Sequence, residues 1–142
     1  VAKQMLALWH FCLSDASRLY ALLEELRIGL TDMKLLHHLS AEPDPLTVKE
    51  LAERMGLSLP GASRAADALL KRGWLSRQED EHDRRMKRLA ITAGGRDVLR
   101  RVEEARMAGL EDVIADVPTV DLDRLSKAID PILARLEERK NA

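Results

Sequence analysis

Residues 46–73 restrict the fold more than any other stretch of this 142-residue chain, because helix starts and stops are spelled out there one after another. Thr47-Val48-Lys49-Glu50 is a Thr-x-x-Glu capping box, with Leu46 and Leu51 at the staple positions on either side. In such a box the hydroxyl satisfies a free N–H of the first turn while the carboxylate reaches back to the cap. A helix is predicted from Thr47, to within a residue, through Leu51, Ala52 and Met55 to Gly56, which can take the left-handed conformation of a C-cap. Only Leu57 separates that stop from Ser58, a good N-cap. Pro60 is tolerated in the first turn of the next helix, which should run to Arg72 and close at Gly73. Two helices joined by three or four residues that include a glycine make a helix-turn-helix.

Beyond Gly73, "WLSRQ" and "KRLAIT" are able to form short strands, with Leu89 and Ile91 on one face. Glu79 to Met86 would then be the tip of a hairpin, held out from the body. Charge is densest there, in "EDEHDRRMKR". The chain as a whole has a net charge of −1, yet its distribution is uneven. Residues 47–96 carry eleven Lys and Arg against seven Asp and Glu, whereas residues 1–46 carry four against six and residues 97–142 eight against eleven. A locally basic surface is what phosphate binding requires, and the whole-chain charge does not forbid it.

The flanks are helical. No Pro or Gly occurs between Lys3 and Arg27, and Met5, Trp9, Cys12, Ala16, Leu19, Leu23 and Leu26 recur at three- and four-residue steps, which predicts one long amphipathic helix. Leu8, Leu13, Tyr20 and Leu22 widen its stripe beyond what one neighbouring helix covers, so a second surface such as a second subunit is implied. Gly29 is expected to end this helix, and Thr31 to cap a short one carrying Met33, Leu35, Leu36 and Leu39 before "AEPDPL" breaks the chain. After Thr92 a second long helix, with Val98, Val102, Ala105, Gly109, Val113 and Val117, should reach Pro118. The last helix carries Leu122, Leu125, Ile129, Ile132, Leu133 and Leu136, with a kink or break expected near 127–131 because Pro131 removes a backbone hydrogen bond.

The predicted class is therefore mainly α with a small β-hairpin wing. A winged helix-turn-helix at 31–96 is carried on long dimerisation helices at 1–30 and 97–142. Composition agrees, since only 3% of residues are aromatic and the core must be built from Leu, Ala, Val, Ile and Met, a mixture that favours helix. There is no apolar run of about 18 residues and no signal-type segment, so a cytoplasmic protein without a membrane partner is expected. Cys12 is the single cysteine, which excludes an internal disulfide and a multi-cysteine metal cluster.

Leu46 to Arg96 resembles the DNA-binding region of the MarR family of bacterial transcriptional regulators. The marks are the glycine-closed helix pair, "LLKRGWL", Asp83-x-Arg85, and Thr92-x-x-Gly95 in register with them, and the flanking helices fit the family's layout. The resemblance implies a homodimer with interlocked terminal helices, the second helix of each pair in a major groove of double-stranded DNA and each wing at a minor groove. It also implies a repressor of a palindromic operator, in many members released by a small phenolic or other aromatic effector.

Physical chemistry assigns roles within that frame. Ser58, Leu59, Pro60, Ser63 and Arg64 lie at or near the exposed start of the second helix, the part that reaches base edges, and Arg64 can donate twice to a guanine. Leu59, Pro60, Gly61 and Ala62 bring no side-chain hydrogen bonds, so shape and methyl contacts must carry part of the specificity. Thr47 at the first helix and Arg84, Arg85 and Lys87 on the wing complete the expected contacts. Arg85 is the candidate for a narrow minor groove, with Asp83 holding its direction. The acidic "EDEH" run is expected to lean away from DNA. An effector would sit between the dimerisation helices and the DNA-binding module, near Tyr20, Met33 and His37 at the corner of the first two helices.

Other classes fit less well. No nucleophile, base and orienting group stand in motif context, and Gly94-Gly95 lacks the rest of a dinucleotide fingerprint, so no enzyme and no cofactor is expected. Adjacent His37 and His38 point about 100° apart on a helix and seldom share an ion, so no metal site is expected. A cysteine-redox regulator through Cys12 is an alternative, but Tyr20 is the only tyrosine, and Asp32, Met33 and Lys34 stand where the family's peroxide sensors place theirs. A winged helix used only for protein contacts, without ligand sensing, is the other alternative. It would lack basic residues on its wing and recognition face.

Overall fold

The computed structural model describes residues 1–14, 16–80, 83 and 86–141. In chain order the elements are α1 (Ala2–Ser14), α2 (Ser17–Glu25), α3 (Leu30–Ala41), β1 (Leu46–Thr47), α4 (Val48–Met55), α5 (Leu59–Lys71), β2 (Leu75–Glu79), β3 (Lys87–Ile91), α6 (Ala93–Ile114) and α7 (Thr119–Asn141). They form two compact units, one of residues 16–109 and one of residues 1–15 with 110–142. The mainly helical class with a small β wing is what the sequence predicts.

The larger unit follows its punctuation closely. Thr47 caps α4 through a complete box: its hydroxyl accepts the Glu50 N–H at 3.2 Å, and the Glu50 carboxylate accepts the Thr47 N–H at 2.7 Å. Gly56 ends α4 in the left-handed region at φ 63°, where a side chain would be strained. Ser58 then caps α5 by accepting the Gly61 N–H at 3.2 Å. The sheet is antiparallel in the order β1-β3-β2, with Leu46 opposite Leu89, Thr47 opposite Arg88, and Leu75 opposite Ile91. Leu35, Leu36, Leu51, Leu69, Leu89 and Val102 are fully buried in one cluster drawn from α3, α4, α5, β3 and α6. Each such burial contributes about 1.5–3 kcal/mol.

Four expectations are corrected. The single helix predicted over residues 3–27 is two, α1 and α2. Near the join stands Ser17, a residue type that weakens a helix interior because its hydroxyl can compete for backbone groups. Gly29 does not end α2. Arg27 takes the left-handed position at φ 47°, with its N–H bonded to the Glu24 carbonyl and that of Ile28 to the Leu23 carbonyl, a Schellman arrangement. The Arg72 guanidinium holds this turn by donating to the Leu26 and Arg27 carbonyls at 2.6 and 3.0 Å. Gly29 instead caps α3, which begins at Leu30 and not after Thr31, and its N–H is taken by the Asp32 carboxylate at 3.0 Å. Finally, of the kink or break expected near 127–131, the break is absent, since α7 is one helix with Pro131 inside it. A proline removes only one rung of the ladder, and the turns on both sides keep theirs.

The sequence also gave no sign of β1, a two-residue strand that makes the wing sheet three-stranded. Glu79, expected in the hairpin tip, is the last residue of β2 and faces Lys87.

In the smaller unit, Met5, Trp9 and Phe11 on α1 and Ile132, Leu133 and Leu136 on α7 are each at least half exposed within the single chain. None of the helices of the described residues is long and apolar enough to cross a membrane.

Candidate nucleic-acid interface

Helix α5 presents two unlike faces. Ala62, Ala66 and Leu69 are buried against the unit's core. Leu59 is 52% exposed, Ser58, Pro60 and Arg64 are exposed, and Ser63 is half-buried. Positions 59, 60, 63 and 64 share the outward side of the first turns, because residues three and four apart on a helix are neighbours. The side chains expected to reach base edges are therefore together, at the end of the helix where the macrodipole favours an anion.

The other cations of the unit mostly have partners. Arg54 pairs with Glu42, Arg77 with Asp67 at 2.6 Å, Lys87 with Glu79 at 2.7 Å, and Lys49 approaches Glu53 at 4.0 Å. Arg72 is committed to backbone carbonyls and lies 4.8 Å over the Trp74 ring. Arg64 has no hydrogen-bond or ion-pair partner among the described residues, so its charge is available to a ligand.

The wing answers why charge gathers in "EDEHDRRMKR". Two of its acids, Glu79 and Asp80, are partners of two of its bases, and Glu81 and His82 lie outside the described residues. Lys87 holds the Glu79 carboxyl below the usual carboxylate range. Asp80 is buried and receives the Nε–H of Arg88, whose guanidinium is raised above its ordinary value chiefly by that bond. Arg88 also donates to the Pro45 carbonyl at 2.9 Å and lies 3.5 Å from Glu50. Glu50 in turn is lowered by the Thr47 N–H first, then the Thr47 hydroxyl, with Arg88 and Arg54 adding to the effect. Asp80 and Arg88 were missed as a pair, because alternation in a strand gives no reason to bury a carboxylate.

The remaining expected residues fall as follows. Thr47 is buried and its hydroxyl is engaged with Glu50, while Lys87 is exposed beside it across an open depression of about 320 Å³ lined by Thr47, Val48, Arg77, Met86 and Lys87. Asp83 is exposed, its N–H bonded to the Asp80 carboxylate at 3.0 Å and its carbonyl to the Met86 N–H at 2.8 Å. Arg84 and Arg85 lie outside the described residues. Of the three expected effector residues, Met33 is buried in the core cluster, whereas Tyr20 and His37 are exposed. Cys12 is half-buried and free. Among the described residues no three His, Cys, Asp or Glu side chains gather as they would to hold a metal ion.

Comparison with known proteins returns the same architecture. The family model described as MarR family matches residues 28–86. The chain is similar to the transcriptional repressor MprA of Escherichia coli (strain K12), 33% identical over 106 residues that make up 75% of this chain and 60% of the relative. Less than two thirds of that relative's length is thus spanned. The fold is similar to that of transcriptional regulator Tm0710 from Thermotoga maritima, with a TM-score of 0.83, 20% identity, and coverage of 100% of this chain and 99% of the other. A MepR–DNA complex from S. aureus superposes with a TM-score of 0.70 at 17% identity, covering 96% of this chain and 97% of that one.

Proposed function

Because this chain belongs to the MarR family of bacterial transcriptional regulators, we propose that it is a DNA-binding repressor that recognises a palindromic operator as a homodimer. The observation that carries the reading is the outward start of α5, where Leu59, Pro60 and Ser63 surround an Arg64 that no described residue neutralises. In a major groove that set offers a bidentate donor for guanine O6 and N7 and an apolar surface for thymine methyl groups. Ser58, at the N-cap, and Lys87, on the rim of the depression above the buried Thr47, would meet the backbone, and Arg84 and Arg85 extend the basic wing in sequence. The MepR–DNA complex and the repressor MprA support the same reading by likeness.

The homodimer is supported by the apolar side chains that α1 and α7 leave exposed, since a monomer seldom shows so much large apolar surface without a partner. Two copies would present two α5 helices to successive turns of the duplex. Release by a small aromatic effector, with Tyr20, Met33 and His37 near its site, is part of the proposal. Such a ligand acts only by binding one spacing of the two recognition helices more tightly than another.

Selection from random duplexes, followed by sequencing of what is retained, tests the function. A consensus of two inverted half-sites separated by roughly one helical turn is expected. Retention of all sequences alike, or of none, would refute it.

A further inference from the structure

The acidic and basic residues that bracket the wing are joined to the helix-turn-helix by one guanidinium. Asp80 opens the connection between β2 and β3. Its N–H donates to the Met86 carbonyl at 3.1 Å and its carboxylate takes the Asp83 N–H at 3.0 Å, so the far end of the connection and its middle residue both close on it. Its side chain is 7% exposed, and a carboxylate so placed is tolerated only when its oxygens are satisfied by strong donors. Arg88 supplies a charged one. It stands on β3, the central strand, opposite Thr47 on one side and Gln78 on the other. From there the guanidinium reaches Asp80, the Pro45 carbonyl that leads into β1, and Glu50 on α4. The Glu50 oxygen that faces Arg88 is the one that accepts the Thr47 N–H and hydroxyl. A continuous path therefore runs from the wing connection to the capped start of α4.

We propose that Asp80 and Arg88 are a positioning pair, which fixes the direction of the wing relative to the helix-turn-helix without itself touching DNA. The inference rests on the DNA-binding reading above. It removes Arg88 from the cations that would meet phosphate and assigns a role to an acid in the middle of a basic module. It also reverses a simple electrostatic expectation. If Asp80 were only a negative charge near the duplex, replacing it with Asn would strengthen binding by relieving repulsion. As half of a positioning pair its replacement weakens binding, because the wing loses its fixed direction and each contact made through it is then made less often.

The test compares the full-length wild type with Asp80→Asn, Arg88→Gln and the double variant on a duplex selected by the wild type, at several salt concentrations. Each single variant is expected to lose about tenfold in affinity, and the double variant no more than either single, as for two groups that act as one. The slope of affinity against salt should stay at the wild-type value, since no phosphate contact is removed. Equal or tighter binding by Asp80→Asn overturns the proposal. So does a slope flattened by about one phosphate in Arg88→Gln, which would make Arg88 a direct contact. Amide hydrogen exchange without DNA is the second measurement. Faster exchange at Asp83 and Met86 with unchanged exchange in α5 supports the anchoring, and unchanged exchange at both overturns it. A wild type that selects no duplex refutes the DNA reading alone, and exchange then decides the anchoring by itself. Should Asp80→Asn fail to fold, Arg88→Gln, a third exposed in its side chain, carries both measurements.

Discussion

A Cβ atom placed on Gly95 would stand 2.3 Å from the carbonyl oxygen of Trp74, closer than real atoms approach. Gly95 is thus where the first turn of α6 closes against the entry to the wing. Thr92 completes the joint: its N–H donates to that same carbonyl at 3.1 Å, and its hydroxyl donates to the Gly73 carbonyl at 2.6 Å while accepting the Gly95 N–H at 3.2 Å. The Thr92-x-x-Gly95 mark read in the sequence is therefore a packing requirement.

Gly95→Ala should destabilise the fold by about 1–3 kcal/mol, because the added methyl meets backbone that cannot move aside without shifting the strand. Gly94→Ala is the matched comparison, since its added atom would have ordinary neighbours at 3.5 Å and beyond. There the better helix propensity of Ala should leave stability unchanged or raise it by up to about 1 kcal/mol. Urea midpoints of the two variants check both signs, and a Gly95→Ala midpoint at or above the wild-type value would contradict the account.

The capping box of α4 predicts a dependence on pH. Hydrogen bonds from Thr47 hold the folded Glu50 carboxyl below its ordinary value, so the stability it contributes is complete above the unfolded glutamate pKa of about 4.3. That contribution is lost as pH falls through the lowered folded value. Glu50→Gln keeps an acceptor but not the charge. It should be less stable than wild type at neutral pH and converge with it in acid, once Glu50 is protonated in both states. Urea unfolding at a series of pH values would show this, and a gap independent of pH would locate the effect elsewhere.

Exposed Trp9, Ile132 and Leu133 predict self-association through the terminal helices. Sedimentation at micromolar concentration should give a dimer for wild type and a monomer for the double variant Ile132→Glu, Leu133→Glu, with the helical signal of residues 16–109 retained. A wild-type monomer with full helicity would remove the dimer and, with it, the palindromic operator.

What was legible in the sequence was set by local chemistry. Thr47, Gly56, Ser58 and Gly73 each fix a boundary through one or two backbone groups, so the helix pair could be placed to within a residue before any tertiary contact was considered. The outward set at Leu59, Pro60 and Arg64 followed from it by helical spacing. Where a boundary depends on a distant partner, nothing local marks it. The left-handed Arg27 is held by Arg72, many residues away, and a non-glycine at that φ leaves no mark in composition. β1 exists because Leu46 and Thr47 meet Leu89 and Arg88 across the sheet, and two residues show no alternation. The pairing of Asp80 with Arg88 likewise needs the fold to bring together groups that read, in order along the chain, as one solvated charge run.

The measurement that tests the central claim most directly is a binding titration of Arg64→Ala against wild type, on the selected duplex and on duplexes altered one base pair at a time. The account predicts a loss of about 1–3 kcal/mol on the selected duplex, and relaxed preference at one guanine position in each half-site. Binding by a correctly folded Arg64→Ala that equals wild type in strength and in base preference would contradict it.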